Sequence, residues 1–189
     1  MKTSHKIWMA VAALLLIGVY LVPIWSISME APQYPEGIGM NITVNNIEGK
    51  QPNDLKNING LNHYIGMKPI EPASIPELQV MPYIFAFLMV TGLIIAATGK
   101  RKLILFWLGI FILLAVAGLV DFYLWGYDYG HNLNPDAPIK VPGMTYQPPL
   151  LGSKQLLNIN ATSLPHIGFY FALLSMSIAG LVWWKSGDK

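Results

Sequence analysis

The chain has 189 residues and no cysteine; 53% of its residues are hydrophobic and only 12% are charged, about half the roughly 25% of ordinary soluble domains. This composition excludes a disordered chain and argues against a soluble globule, and the lack of cysteine excludes disulfides, thiolate metal sites and thiol nucleophiles. The net charge of +2 provides no basic patch of the kind that indicates nucleic-acid binding.

Four stretches are apolar enough to span a membrane, because about 20 apolar residues cross the roughly 30 Å hydrocarbon core of a bilayer. In chain order, we predict transmembrane helices at about 7–27, 82–99, 103–125 and 165–184. Buried helices of a soluble protein are a poor alternative, since four such runs in this length leave almost no polar surface. The lipid bilayer is therefore the first expected partner.

The first apolar stretch has a second interpretation, as a cleaved signal sequence. Ser26 and Ser28 are small residues at a suitable spacing for cleavage. The apolar run of about 21 residues is longer than a usual signal core, which favours an uncleaved anchor. Both interpretations predict the same topology for the rest of the chain.

Basic residues lie almost entirely on one side of the predicted helices. The inner ends carry one acid, Asp188, and seven of the twelve Lys and Arg residues: Lys2, Lys6, Lys100, Arg101, Lys102, Lys185 and Lys189. Basic flanks stay on the cytoplasmic side of a membrane. The pattern therefore predicts a multi-pass membrane protein with both termini in the cytoplasm and segments 28–81 and 126–164 outside.

The first outer segment, 28–81, contains signs of local structure. Ile38, Met40, Ile42 and Val44 alternate with other residues, which predicts a half-exposed strand. Residues 54–64 favour a short helix. The segment is too long for a plain connection, so we expect it to fold against the membrane or against the second outer segment.

The second outer segment, 126–164, is rich in proline and shows almost no periodicity. We predict an irregular but ordered cap, in which residues near Asn59–Met67 contact residues near Gly130–Met144. The predicted fold is thus an all-α membrane protein, one domain over residues 1–189. It has four transmembrane helices and two Pro/Gly-rich outer loops that form a cap, with minor β structure in the first loop.

Neutral soft donors are concentrated in the outer segments. They are His63, His131, His166, Met29, Met40, Met67, Met81 and Met144. His63 and Met67 are four residues apart and would share one face of a helix. Histidine with thioether favours copper, since methionine selects Cu(I). The candidate ligands are His63, Met67, His131 and Met144; the alternative is that the methionines pack, the histidines form hydrogen bonds and no metal binds.

Four motifs in the outer segments resemble a known family. They are YPEGI at 34–38, INGLNHYIGM at 58–67, YDYGHNL at 127–133 and KVPGMTYQPPL at 140–150. Together with the helix count they resemble a small multi-pass membrane protein encoded in bacterial gene clusters for nitrous oxide reductase maturation. The resemblance implies a location in the bacterial inner (cytoplasmic) membrane. It also implies a role near periplasmic copper handling, or near electron supply to that reductase, and it transfers no activity and no metal ligands.

Two functions are therefore expected from the sequence. The first is an accessory protein of a periplasmic copper enzyme, acting in copper handling or assembly. The second is a scaffold or small subunit of a membrane complex, whose outer loops dock protein partners in the membrane or periplasm without a metal. A transport or redox component is a weaker third, because no polar pathway and no haem-binding histidine pair are visible. Catalysis by this chain alone is not expected.

Overall fold

A computed structural model describes residues 1–187; Asp188 and Lys189, which entered the charge count above, lie outside these residues. Within the described range the helices are α1 (Thr3–Leu15), α2 (Asp54–Ile65), α3 (Pro76–Thr98), α4 (Arg101–His131) and α5 (Ile167–Lys185). The strands are β1 (Trp25–Ala31), β2 (Tyr34–Ile42), β3 (Ile47–Gly49), β4 (Gly152–Leu156) and β5 (Ile159–Pro165). The prediction of an all-α protein is wrong, because both outer segments contribute strands to one five-stranded antiparallel sheet.

Four helices are long and apolar enough to cross a membrane, as expected for a multi-pass membrane protein. They are α3, α4, α5 and α1 with its 3₁₀ continuation to Tyr20. The 3₁₀ turn rises more steeply than an α-helix, so these 18 residues reach roughly 30 Å, the thickness of the hydrocarbon core. Helices α1 and α4 each pack against both α3 and α5, and the Ser175 hydroxyl of α5 donates a hydrogen bond to Ala12 O of α1 at 2.6 Å.

The basic residues cluster at one end of this helical bundle. The amino group of Met1 donates to Gly99 O at 3.1 Å, and Lys6 Nζ donates to Ala97 O at 3.3 Å, where α3 ends. Arg101 Nε donates to Trp183 O at 3.0 Å, near the end of α5. These basic residues thus lie together at one end of the bundle, and the sheet lies at the other end.

The sheet follows from the way the bundle is built. Strand β1 leaves α1, and β5 leads directly into α5. Because α1 and α5 are neighbours in the bundle, the two strands emerge side by side and run in opposite directions. They pair over Trp25–Glu30 and Asn160–Pro165, and the remaining hairpins extend the sheet on both sides in the order β3-β2-β1-β5-β4.

The first membrane helix ends earlier than the predicted bound of about residue 27. The helical conformation ends at Tyr20, and residues 25–27 belong to the central strand. Trp25, Ile27 and Met29 face the protein interior and alternate with polar residues, a two-residue period that the uncharged stretch concealed. A signal-peptide cut after Ser26 or Ser28 would fall inside β1; the uncleaved anchor stays a prediction.

The second outer segment is more regular than predicted. It contains β4 and β5 as a hairpin, whereas the sequence favoured an irregular cap. The inward positions of β5 are occupied by Ile159, Ala161 and Ser163, and two of these are too small to give a clear hydrophobic alternation. In the first segment, the predicted strand and short helix are confirmed as β2 and α2.

The prediction that both outer segments form one cap is confirmed. Asn134 N donates to Gly66 O at 2.8 Å, and Ile139 N donates to Tyr64 O at 2.9 Å. Helix α4 extends beyond the membrane into the cap, because its 31 residues span about 46 Å and the hydrocarbon core is only roughly 30 Å thick. Its last turns carry Trp125 and Tyr129 into the apolar cluster between α2 and the sheet.

Candidate functional site

The cap contains a partly open cavity of about 80 Å³ between the inner face of the sheet and α2. Its walls are almost entirely apolar. The lining residues come from the strands, from α2 and the turn after it, and from the outer end of α4 and the chain that follows it; they are Ile27, Met29, Met40, Ile58, Leu61, Asn62, Ile65, Met67, Ile70, Trp125, Tyr129, Tyr146, Pro148, Leu156, Leu157, Ile159 and Ala161. The cavity is therefore a meeting point of both outer segments.

Three thioether side chains border this cavity. In the pairing of β1 with β2, Met29 lies opposite Ile38 and Ile27 lies opposite Met40. Met29 and Met40 are therefore diagonal neighbours on the same face of the sheet, within reach of long side chains. Met67 approaches from the turn that follows α2.

Most polar atoms at the cavity have partners, but within residues 1–187 the Tyr146 hydroxyl and the Trp125 indole nitrogen do not. Asn62 Nδ2 donates to Lys68 O at 3.2 Å, and the Tyr129 hydroxyl donates to Pro69 O at 3.2 Å. Tyr146 is only 3% exposed, and its hydroxyl has no hydrogen-bond partner among the described residues. A buried polar group without a partner lowers the stability of the fold by about 1–3 kcal/mol. The unpartnered Tyr146 hydroxyl therefore makes the cavity a candidate ligand-binding site.

Helix α2 ends before Met67, so His63 and Met67 do not share a helix face as the sequence predicts. Gly66 adopts a left-handed conformation, with φ of 82°, and ends α2. His63 is exposed on the helix, whereas Met67 turns inward and lines the cavity. The two side chains thus lie in different environments, and their joint role as metal ligands stays a prediction.

The other two candidate ligands lie on the second outer segment. His131 ends α4; its ring stacks on Tyr127 with centroids 3.9 Å apart, and its Nδ1 is 3.0 Å from Tyr127 O. Met144 is half-buried in a turn closed by its own N–H, which donates to Val141 O at 3.1 Å. Neither residue lines the cavity, and their role as ligands also stays a prediction.

Leu157 forms one edge of the cavity at a conformational cost. It adopts φ of 55° at the tip of the β4–β5 hairpin, a region that costs a residue with a Cβ roughly 1–2 kcal/mol. Glycine or asparagine would be the usual choice at such a position. The structure therefore retains an apolar side chain at this edge although the backbone disfavours it.

The cavity has the composition of a soft-metal or apolar-ligand site. It offers three thioethers, aromatic rings, the Asn62 amide, one free hydroxyl and one free indole N–H, with no carboxylate, histidine or lysine in its lining. Within residues 1–187 there is no group of three or more His, Cys, Asp or Glu side chains that would hold a harder metal ion. The ligand set suggested by the sequence includes Met67 but not Met29 and Met40. The signal that could have indicated these two methionines is the alternation of inward-facing residues in β1 and β2.

No protein-family model matches the chain, and no curated protein matches it significantly.

Proposed function

We propose that this protein is an accessory membrane protein of a periplasmic copper enzyme of the nitrous oxide reductase type, acting in copper handling or assembly. The observation that carries the proposal is the cap cavity, where Met29, Met40 and Met67 offer neutral thioethers in a chain without cysteine. Thioethers select Cu(I) over harder cations. The motif resemblance described above points in the same direction.

The proposal places the cap in the periplasm and the basic end of the bundle in the cytoplasm. The physical reason is that Lys and Arg next to membrane helices resist translocation, and six such residues within the described range lie at the end opposite the cap. The cap would then face a periplasmic enzyme, while the four helices anchor it in the inner membrane.

Cysteine labelling tests this orientation, because the parent chain has no cysteine. Lys140 in the cap and Lys102 at the basic end are both exposed. In intact cells we expect Lys140→Cys to react with a membrane-impermeant maleimide and Lys102→Cys to react only after permeabilisation. Labelling of Lys102→Cys in intact cells, with protection of Lys140→Cys, would indicate the opposite topology and contradict this orientation.

Gene deletion tests the function itself. In the host we expect deletion to lower the copper content of the purified periplasmic enzyme severalfold, while the amount of its polypeptide changes little, because the defect concerns the metal. Expression of the parent chain should restore the copper content. An enzyme that keeps full copper content and activity in the deletion strain would contradict the proposal.

A metal-free scaffold is the second candidate, and exposed apolar side chains of the cap favour it. Ile139, Val141 and Leu151 are 49%, 40% and 63% exposed, and they lie on the second outer segment, outside the transmembrane helices. Such side chains suit contact with a protein partner. In this case deletion would lower assembly of the enzyme, but the purified protein would bind no Cu(I).

A further inference from the structure

We propose that the thioethers of Met29, Met40 and Met67 hold one Cu(I) ion inside the cap cavity. This inference rests on the proposed function and names its site. It differs from the ligand set suggested by the sequence, because it retains Met67 but replaces His63, His131 and Met144 by two methionines of the sheet. The tertiary structure places all three side chains in the lining of one cavity, although they are separated by up to 38 residues in the chain.

The backbone fixes two of the donors on one wall and the third on the facing wall. Met29 and Met40 are held by the register of β1 with β2, in which Ile27 pairs with Met40. Met67 is brought inward by Gly66, whose position cannot accept a side chain easily: a Cβ there would lie 2.9 Å from Asn134 O and 3.0 Å from Ala137 Cβ. A rigid frame thus carries three flexible, unbranched side chains.

The donor set determines which ion fits. Zinc and calcium need thiolate, imidazole or carboxylate ligands, and none of these borders the cavity. Cu(I) is soft and carries a single charge, so neutral thioethers suit it. The free hydroxyl oxygen of Tyr146 is a further neutral donor in the lining, whereas the rings of Trp125 and Tyr129 pack against each other with centroids 4.2 Å apart.

The same chemistry predicts an exchangeable site. No anionic ligand neutralises the ion, so the cost of burying its charge is offset only by the three soft bonds and the neutral Tyr146 hydroxyl oxygen. We therefore expect weaker binding than at a thiolate site, as is useful for a protein that passes copper on. Binding involves no electron transfer, because copper enters and leaves as Cu(I).

A matched pair of triple variants tests the site in the full-length protein in detergent. Replacing Met29, Met40 and Met67 by leucine removes the sulfur atoms and nearly conserves volume, which typically costs less than about 1.5 kcal/mol per site. The control replaces Met9, Met89 and Met176, which pack within the helical bundle, by leucine. Circular dichroism and thermal unfolding should show both variants folded.

Anaerobic competition titration with Cu(I) against a chromogenic chelator is the readout. We expect one equivalent of Cu(I) on the parent and on the bundle control, and at least tenfold weaker binding for the cavity variant. X-ray absorption of the parent complex should show a shell of sulfur atoms. His63→Ala combined with His131→Ala should leave the affinity within about twofold.

The outcomes separate this site from the wider proposal. If the parent binds Cu(I) and the cavity variant binds equally well, this inference is wrong and copper handling by other ligands stands. The same conclusion follows if only the histidine variant loses affinity. If the parent binds no Cu(I), both this site and the copper-handling function fail, and the scaffold function replaces them.

Discussion

Replacing Gly92 by leucine should separate α1 from α3 and lower the stability of the whole bundle. A Cβ on Gly92 would lie 2.9 Å from Ala13 Cβ and 3.4 Å from Trp107 Cζ2, and Ala13 is fully buried. Within lipid, helices associate through close packing rather than through the hydrophobic effect, so a small residue at the contact matters greatly. We expect a loss of about 3 kcal/mol or more, seen as a fall of roughly 6–12 °C in the Tm of the detergent-solubilised protein.

Gly109→Leu is the matched control for this change. Gly109 lies in α4, where a Cβ would meet nothing within 4 Å, so the added side chain should face lipid. Its Tm should stay within a few degrees of the parent value. Equal losses in both variants would mean that the added bulk, and not the α1–α3 contact, is responsible.

Replacing Gly130 by alanine should loosen the cap without affecting the membrane helices. Gly130 is buried near the end of α4, and Tyr146 N donates to Gly130 O at 2.9 Å. A Cβ on Gly130 would collide with the backbone of Gln147, which no side-chain rotation can relieve. We expect the clash to cost about 1–3 kcal/mol and to displace Tyr146 from the cavity, measured as faster proteolysis within residues 132–150.

Gly118→Ala provides the control within the same helix. A Cβ there would meet nothing within 4 Å, and alanine favours a helix over glycine by roughly 1 kcal/mol. This variant should be as stable as the parent or slightly more so, with unchanged proteolysis of the cap. Slow proteolysis of Gly130→Ala would show that the contact between α4 and the second outer segment is not tight.

The two predictions also bear on the proposed copper site. Gly130→Ala acts on Tyr146, which lines the cavity, whereas Gly92→Leu acts at the contact of α1 with α3 in the bundle. Met29, Met40 and Met67 belong to neither contact, so both variants should keep Cu(I) binding if these thioethers are the ligands.

The sequence by itself determined the features that depend on local composition. Four apolar stretches predicted the four membrane-spanning helices, and the basic residues predicted which ends of those helices lie together. Alternation in β2 and the propensity of residues 54–64 also required no distant contact. These signals are reliable because hydropathy, charge and periodicity act over short distances along the chain.

Only the tertiary structure decided the sheet and the cavity. Residues 21–27 are uncharged and read as part of a helix, yet β1 begins at Trp25 because neighbouring α1 and α5 bring β1 and β5 side by side. The pairing of β1 with β2 then places Met29 near Met40, and Met67, after the left-handed turn at Gly66, lines the same cavity. These side chains share a cavity because of strand register and helix packing between distant segments, which spacing along the chain does not encode.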